Sequence, residues 1–349
     1  MITSFDTLIE SLSIHYIGNK CKNEACLFSE EPLSTDDEQL LPLVLEYFTR
    51  PFEKVQESFS FSHPSVLELN EIFHFAKGIF SDEINFHEAS VGIARHLYNI
   101  STHPNIKPGE VYITRFNKLL VDGVEKEAIG IFKTENKEPF LKVLQEGSKF
   151  QLQYELSGIH IKKLDKGCLI LNEEQEEGYK VMVIDQTNKS SEALYWTDLF
   201  LQLKVRNDEF NQTQSLLTVY KNFIAEGVDK DIELTKPEKI ELLNRSMRYF
   251  KEKDAFDLDE FNNEVIGHQQ GAKLFVQYKA DYEQRYETEI GDQFGISGAA
   301  VKKQARIYKS VLKLDRNFHI YIHGNSDLIE KGVDDDGRKY YKIYYQEEA

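Results

Sequence analysis

At Pro108-Gly109 the spacing of apolar residues changes from three-and-four to two, and this limits the chain to folds in which helices come first and an antiparallel sheet follows. Before that point Leu40, Leu41, Val44, Leu45 and Phe48 recur at helical intervals. Thr35-Asp36-Asp37-Glu38 ahead of them sets a hydroxyl three residues before a carboxylate, the arrangement of a reciprocal helix cap. The spacing predicts two further helices, over about 66–80 behind His63-Pro64 and about 85–100 ahead of His103-Pro104. After that point VYITRF at 111–116, EAIGIFK at 127–133 and PFLKVLQ at 139–145 read as strands. FQLQYEL at 150–156 alternates cleanly, with Phe150, Leu152, Tyr154 and Leu156 on one face. GCLIL at 167–171 and YKVMVI at 179–184 continue the series across EEQEEG, a solvated turn. Connections this short exclude helical crossovers, so an antiparallel meander is expected.

Helical spacing returns from Trp196 to about Tyr286. Asn207 is the expected cap of a helix carrying Phe210, Leu217, Tyr220 and Ile224, which Gly227 ends. Thr235-Lys236-Pro237-Glu238 is a capping box with proline in the first turn, followed by Ile240, Leu243, Met247 and Phe250. Another helical stretch, about 257–286, should break near Gly267 or Gly271. In RIYKSVLKLDRNFHIYIHG, Asp315-Arg316-Asn317 joins two alternating runs as a hairpin, and KYYKIYY supplies a third run after Asp336-Gly337. The fold class read from this is α+β: N-terminal helices with a mainly antiparallel sheet, then a helical region and a small C-terminal antiparallel sheet. At 349 residues two cores are expected, one over 1–200 and one over 201–349 ending in three antiparallel strands.

The formal charge is −17, from 59 acidic against 42 basic residues, so the surface as a whole should repel a polyphosphate. Contacts are nevertheless made by local patches, because charge is screened beyond roughly 8 to 10 Å. Cys21, Cys26 and Cys168 form no even framework and no C-x-x-C pair, as expected of reduced thiols in an intracellular protein. No run approaches the ~20 apolar residues that span a bilayer, and no membrane role is expected.

Catalytic and metal-binding patterns fail on spacing. Gly291, Gly295 and Gly298 match neither phosphate-loop signature, since Lys302 comes too late and no buried strand precedes. Ser297 in GISGA is not a nucleophile elbow. Cys21 and Cys26 with His15 lack a fourth ligand, and His87-Glu88 is followed by Val91 where a metalloprotease helix needs histidine. Asp334-Asp335-Asp336-Gly337 opens like a calcium loop, but Tyr345 occupies the closing position. No catalytic residue, metal or cofactor is therefore expected.

The segment from Gly298 to Arg316 reverses the global charge: Lys302, Lys303, Arg306, Lys309, Lys313 and Arg316 stand against the single acid Asp315. GDQFGISGAAVKKQAR reads as a glycine-containing loop entering a short helix, whose free N–H groups would receive a phosphate. Such a patch gives salt-dependent contact with little base discrimination. The alternative is that these cations pair with the protein's own surplus carboxylates.

IGIFKTENKEPFLKV at 129–143 and ISGAAVKKQARIYKSVLKLDRNFHIYIHG at 296–324 resemble nucleoid-associated proteins of the NdpA/YejK type, in their Bacteroidetes-like form. The GCLILN and YKVMVIDQTN strands, EALYWTDLFL and the NDEFNQTQSLL helix start fall in the expected order, so the resemblance runs nearly end to end. It implies association with the bacterial nucleoid in the cytoplasm and supplies no catalytic motif. The expected function is non-enzymatic DNA binding through the C-terminal basic patch, in a homodimer. The alternative is an acidic adaptor that reaches the nucleoid through another protein such as a topoisomerase.

Overall fold

A computed structural model of the chain describes residues 2–4, 6–34, 36–187, 195–227, 234–286, 288–305, 308, 311–314, 318–321 and 328–347. Two compact units divide it, Met1–Arg206 and Asn207–Ala349.

The first unit is built on one antiparallel sheet. Its strands are β1 (Ile2–Thr3), β2 (Leu8–Ile17), β3 (Phe59–Phe61), β4 (Gly109–Val121), β5 (Val124–Thr134), β8 (Lys166–Leu171), β9 (Lys180–Asp185) and β10 (Leu203–Val205). The order is β1-β4-β5-β8-β9-β3-β10, with β2 following β1 along the same edge of β4. Asp122-Gly123, both with positive φ, turn β4 into β5 so that Val121 faces Val124.

Both faces of this sheet are covered, which is why AIGIF at 128–132 of β5 and CLIL at 168–171 of β8 are apolar without alternation. Val111, Ile113, Ile129, Ile131 and Ile170 pack beneath α2 (Glu71–Phe80) and α3 (Phe86–Ile100), against Ile72, Ala76, Ile93 and Leu97. Their neighbours Tyr112, Phe116, Phe132 and Leu169 point the other way, toward α1 (Leu40–Thr49). There Phe48 stacks on Phe132 at 4.2 Å between ring centroids. Asn70 caps α2 through the N–H of Phe73, and Asn85 caps α3 through those of His87 and Glu88. The entry of α1 is held by Asp37, which accepts the N–H groups of Gln39 and Leu40. Thr35, the expected cap residue, lies outside the described residues.

The meander expectation needs one correction. β6 (Glu138–Glu146) and β7 (Lys149–Gly158) pair only with each other among the described residues, and β5 pairs directly with β8. The chain leaves the sheet after Thr134 because Asp165 takes the backbone N–H groups of both Glu135 and Asn136, and these can no longer enter a ladder with β6. β1, β2, β3 and β10 also went unread; β2 gains its place only by pairing with β4, about a hundred residues later in the chain.

The second unit packs α4 (Glu209–Asn222), α5 (Lys236–Glu252), α6 (Leu258–Phe261), α7 (Gln269–Tyr286) and α8 (Gly298–Ala305) around Tyr220, Phe223, Phe250, Phe261 and Phe275. Asp208, rather than Asn207, caps α4 through the N–H of Asn211. The capping box at Thr235 and Glu238 forms in both directions. Gly267, at φ +76°, makes the expected break before α7.

A ribbon of β11 (Ala255–Asp257) and β12 (Gln293–Gly295) closes one side. Beyond α8, where three antiparallel strands are expected, the described residues form two hairpins: β13 (Val311–Leu314) with β14 (Phe318–Tyr321), and β15 (Ile329–Val333) with β16 (Lys339–Ile343). IEKGV at β15 has neither apolar alternation nor β-branched density, so only its pairing with KYYKI makes it a strand. Between β15 and β16, Asp334 accepts the N–H groups of Asp336 and Arg338, so the calcium-like motif serves as a turn.

Candidate nucleic-acid interface

The basic segment begins on α8, whose position follows from three small or amphipathic side chains. Ala300, Val301 and Gln304 are buried, and Gln304 Nε2 donates to Thr218 Oγ1 of α4 at 3.3 Å. Lys302 and Lys303 are consequently exposed side by side. The Lys303 ammonium sits 5.3 Å from the ring centroid of Phe210, a cation–π distance that leaves its charge at the surface. Lys302 makes no ion pair with any described carboxylate. Part of the expected phosphate cradle is taken up within the chain, however. Ser297 Oγ accepts the N–H of Ala300, and Thr213 Oγ1 accepts that of Ser297. Ser297 thus caps this helix from within the chain, and Lys302 and Lys303 are its exposed cations.

Arg306, Lys309 and Arg316 lie outside the described residues, as does the Asp315 turn. Of Lys313 only its place on β13, opposite His319, is described. The structure thus brings together Lys302 and Lys303 out of the six candidate cations.

Sequence reading missed a second constellation, in the first unit, where the end of β5 meets β8, β9 and Tyr195. Lys133 and Lys166 are fully buried. Lys133 Nζ donates to Glu135 Oε1 at 2.8 Å and to the carbonyl of Lys107 at 2.6 Å. Lys166 Nζ donates to both carboxylate oxygens of Asp185 at 2.7 Å. Tyr195 bridges the two, donating its hydroxyl to Glu135 Oε1 at 3.0 Å while Lys166 lies 5.1 Å from its ring. Thr187 Oγ1 satisfies Glu135 Oε2 at 3.1 Å. His103, Lys107, Glu135, Thr187 and Tyr195 line a small cavity of about 40 Å³ beside it, room for a water rather than a substrate.

Electrostatics support a structural role for this cluster. Burial pulls Lys133 below the ordinary lysine range. Burial also works against the Glu135 carboxylate, but Lys133 and Lys166 outweigh it and hold the group below the usual carboxylate range. Burial, then the Glu135 charge, push the Tyr195 hydroxyl well up. Each of the two buried ammonium groups therefore has a carboxylate within hydrogen-bond distance. Lysines inside strands carry no motif, and only the sheet's closure at Tyr195 reveals them.

The histidines weighed as metal ligands, His15 and His87, are otherwise engaged. His15 bonds Ser90 Oγ at 3.0 Å through Nε2 and accepts the Ser29 N–H at Nδ1, while His87 meets Ser13 and the Ser29 carbonyl. Among the described residues no group of three or more His, Cys, Asp or Glu could hold a metal ion. No described helix is long and apolar enough to cross a membrane.

Compared with known proteins, residues 13–337 match the profile of the family described as nucleoid-associated protein YejK. No curated protein matches the chain.

Proposed function

This chain belongs to the nucleoid-associated protein YejK family, and on that premise we propose that it is a non-enzymatic protein that touches DNA directly, with little sequence preference, in the nucleoid of the cytoplasm. The contact is assigned to the basic segment Lys302, Lys303, Arg306, Lys309, Lys313 and Arg316. The observation that carries this reading is the pair of exposed lysines on α8, held outward by the burial of Val301 and Gln304. Two adjacent ammonium groups suit phosphate oxygens, and neither has the planar fork that reads a base edge.

Binding of a duplex followed against salt concentration tests the reading. Retention is expected at ~50 mM salt and should fall steeply with added salt, and the double variant Lys302→Glu/Lys303→Glu should lower the salt slope by about 2. No retention at low salt, or an unchanged slope in the variant, overturns it.

The net charge of −17 favours a second reading, in which a carboxylate-rich surface grips another nucleoid protein such as a topoisomerase. A pull-down from nuclease-treated lysate separates the two. Partners that survive nuclease support the adaptor, and loss of every partner supports direct contact.

A further inference from the structure

The hairpin β6–β7 has an apolar face that no described residue of its own unit covers. Cross-strand pairing sets Leu141 opposite Tyr154, Val143 opposite Leu152 and Gln145 opposite Phe150, all on one side. The other side is largely polar, with Lys142 opposite Gln153 and Glu146 opposite Lys149. Leu141, Phe150 and Tyr154 expose 69%, 71% and 70% of their surfaces, as a side chain would on an extended strand in water. The alternation of FQLQYEL is the pattern of a strand with a buried side, yet here that side faces solvent. An isolated two-stranded hairpin is marginal in water, so this one needs a layer against its apolar face.

The same unit offers a matching concave surface. A groove of about 310 Å³ lies between β2 and α1, lined by Ile14, Leu33, Leu40, Leu43 and Val44 and bounded by Ile161, just beyond the end of β7. No charged side chain lines it. Leu40, expected on the buried face of α1, is 39% exposed there, and Leu43 beside it 48%.

We infer that β6–β7 is a dimerisation arm, and that its apolar face covers the groove between β2 and α1 of a second copy, the second copy's arm doing the same in return. Area supports this occupant. The arm's apolar side chains expose roughly 800 Å² to water, the amount one partner contributes to a standard stable interface and more than a lone soluble protein ordinarily leaves bare. Charge supports it as well. Two copies at −17 each repel at long range, so close approach is least opposed at surfaces without charge, and the arm face and the groove are both of that kind. Strands of nine and ten residues reach about 30 Å, far enough for an arm to cross to a neighbour. One protruding and one recessed apolar surface on the same chain form a self-complementary pair, as a two-fold dimer requires. This inference is independent of the DNA reading.

Sedimentation equilibrium of the full chain at micromolar concentration tests it. The wild type should have twice the mass of one chain. An arm variant, Leu152→Asp/Tyr154→Asp, and a groove variant, Leu40→Asp/Leu43→Asp, should each associate roughly 100-fold or more weakly. Their unfolding midpoints should stay close to the monomer's, because the altered side chains are already largely exposed. Mixing the two variants should restore a heterodimer, since one copy keeps an intact groove and the other an intact arm. A monomeric wild type, a dimeric arm variant, or a mixture no more associated than its components overturns the inference.

Discussion

The ammonium of Lys133 lies 2.8 Å from the carboxylate of Glu135 with both side chains almost wholly out of solvent, 0% and 4% exposed. A pair in this position holds the end of β5 against Tyr195, and its value lies in neither charge being left alone. Glu135→Gln strands a buried cation and should destabilise the first unit by about 3–5 kcal/mol. The double change Lys133→Met/Glu135→Leu, which removes both charges, should cost less than the single one. Urea unfolding midpoints of the two variants check the order, and a single variant as stable as the wild type contradicts it.

His15 is buried between Ser90 and Ser29, and burial, with the neighbouring His87 second, lowers its pKa from 6.5 to about 4. A base whose folded pKa is depressed takes its proton more readily when unfolded. The stability it supports is therefore full above about pH 6.5 and falls as the pH drops toward 4. The loss attributable to this group is at most about 3 kcal/mol. Stability measured across that window should slope downward with acid in the wild type and flatten in His15→Gln; an identical slope in both rules the histidine out.

Gly123 and Gly178 both have positive φ, but their surroundings differ. A Cβ at Gly123 would meet nothing within 4 Å, whereas at Gly178 it would lie 2.4 Å from the Phe61 carbonyl oxygen. Gly123→Ala should cost about 1–2 kcal/mol, the ordinary strain of that backbone region. Gly178→Ala adds a collision with backbone that cannot turn aside, and it should cost clearly more. Thermal denaturation of the two variants under the same conditions decides it, and equal losses would contradict the collision.

Thr235 begins α5 by accepting the Glu238 N–H, while Glu238 Oε2 accepts the Thr235 N–H at 2.7 Å. Thr235→Ala removes one half of this exchange and should cost the second unit about 1 kcal/mol. Amide exchange in the first turn of α5 should accelerate accordingly; unchanged protection there would mean that the cap contributes nothing.

Most elements were legible because their signals are local. The helices over Glu71–Phe80 and Phe86–Ile100, the strands from β4 to β9 and the capping box of α5 follow from spacing and end residues alone. β2 and β15 were not legible, since each becomes a strand only by finding a distant or weakly patterned partner. The candidate site was legible only in part. The density of cations around Lys302 and Lys303 stands in the sequence, but the capping of α8 by Ser297 and the buried lysines beside Tyr195 do not.

Periodicity along the chain determined which residues share a face, because the backbone repeat of a helix or a strand is set by its nearest bonds. What each face meets was decided by the tertiary structure, through contacts between residues far apart in sequence. Phe150, Leu152 and Tyr154 line one side of a strand by their spacing alone, and only the folded chain leaves that side in water while Phe132, on β5, is enclosed beneath Phe48.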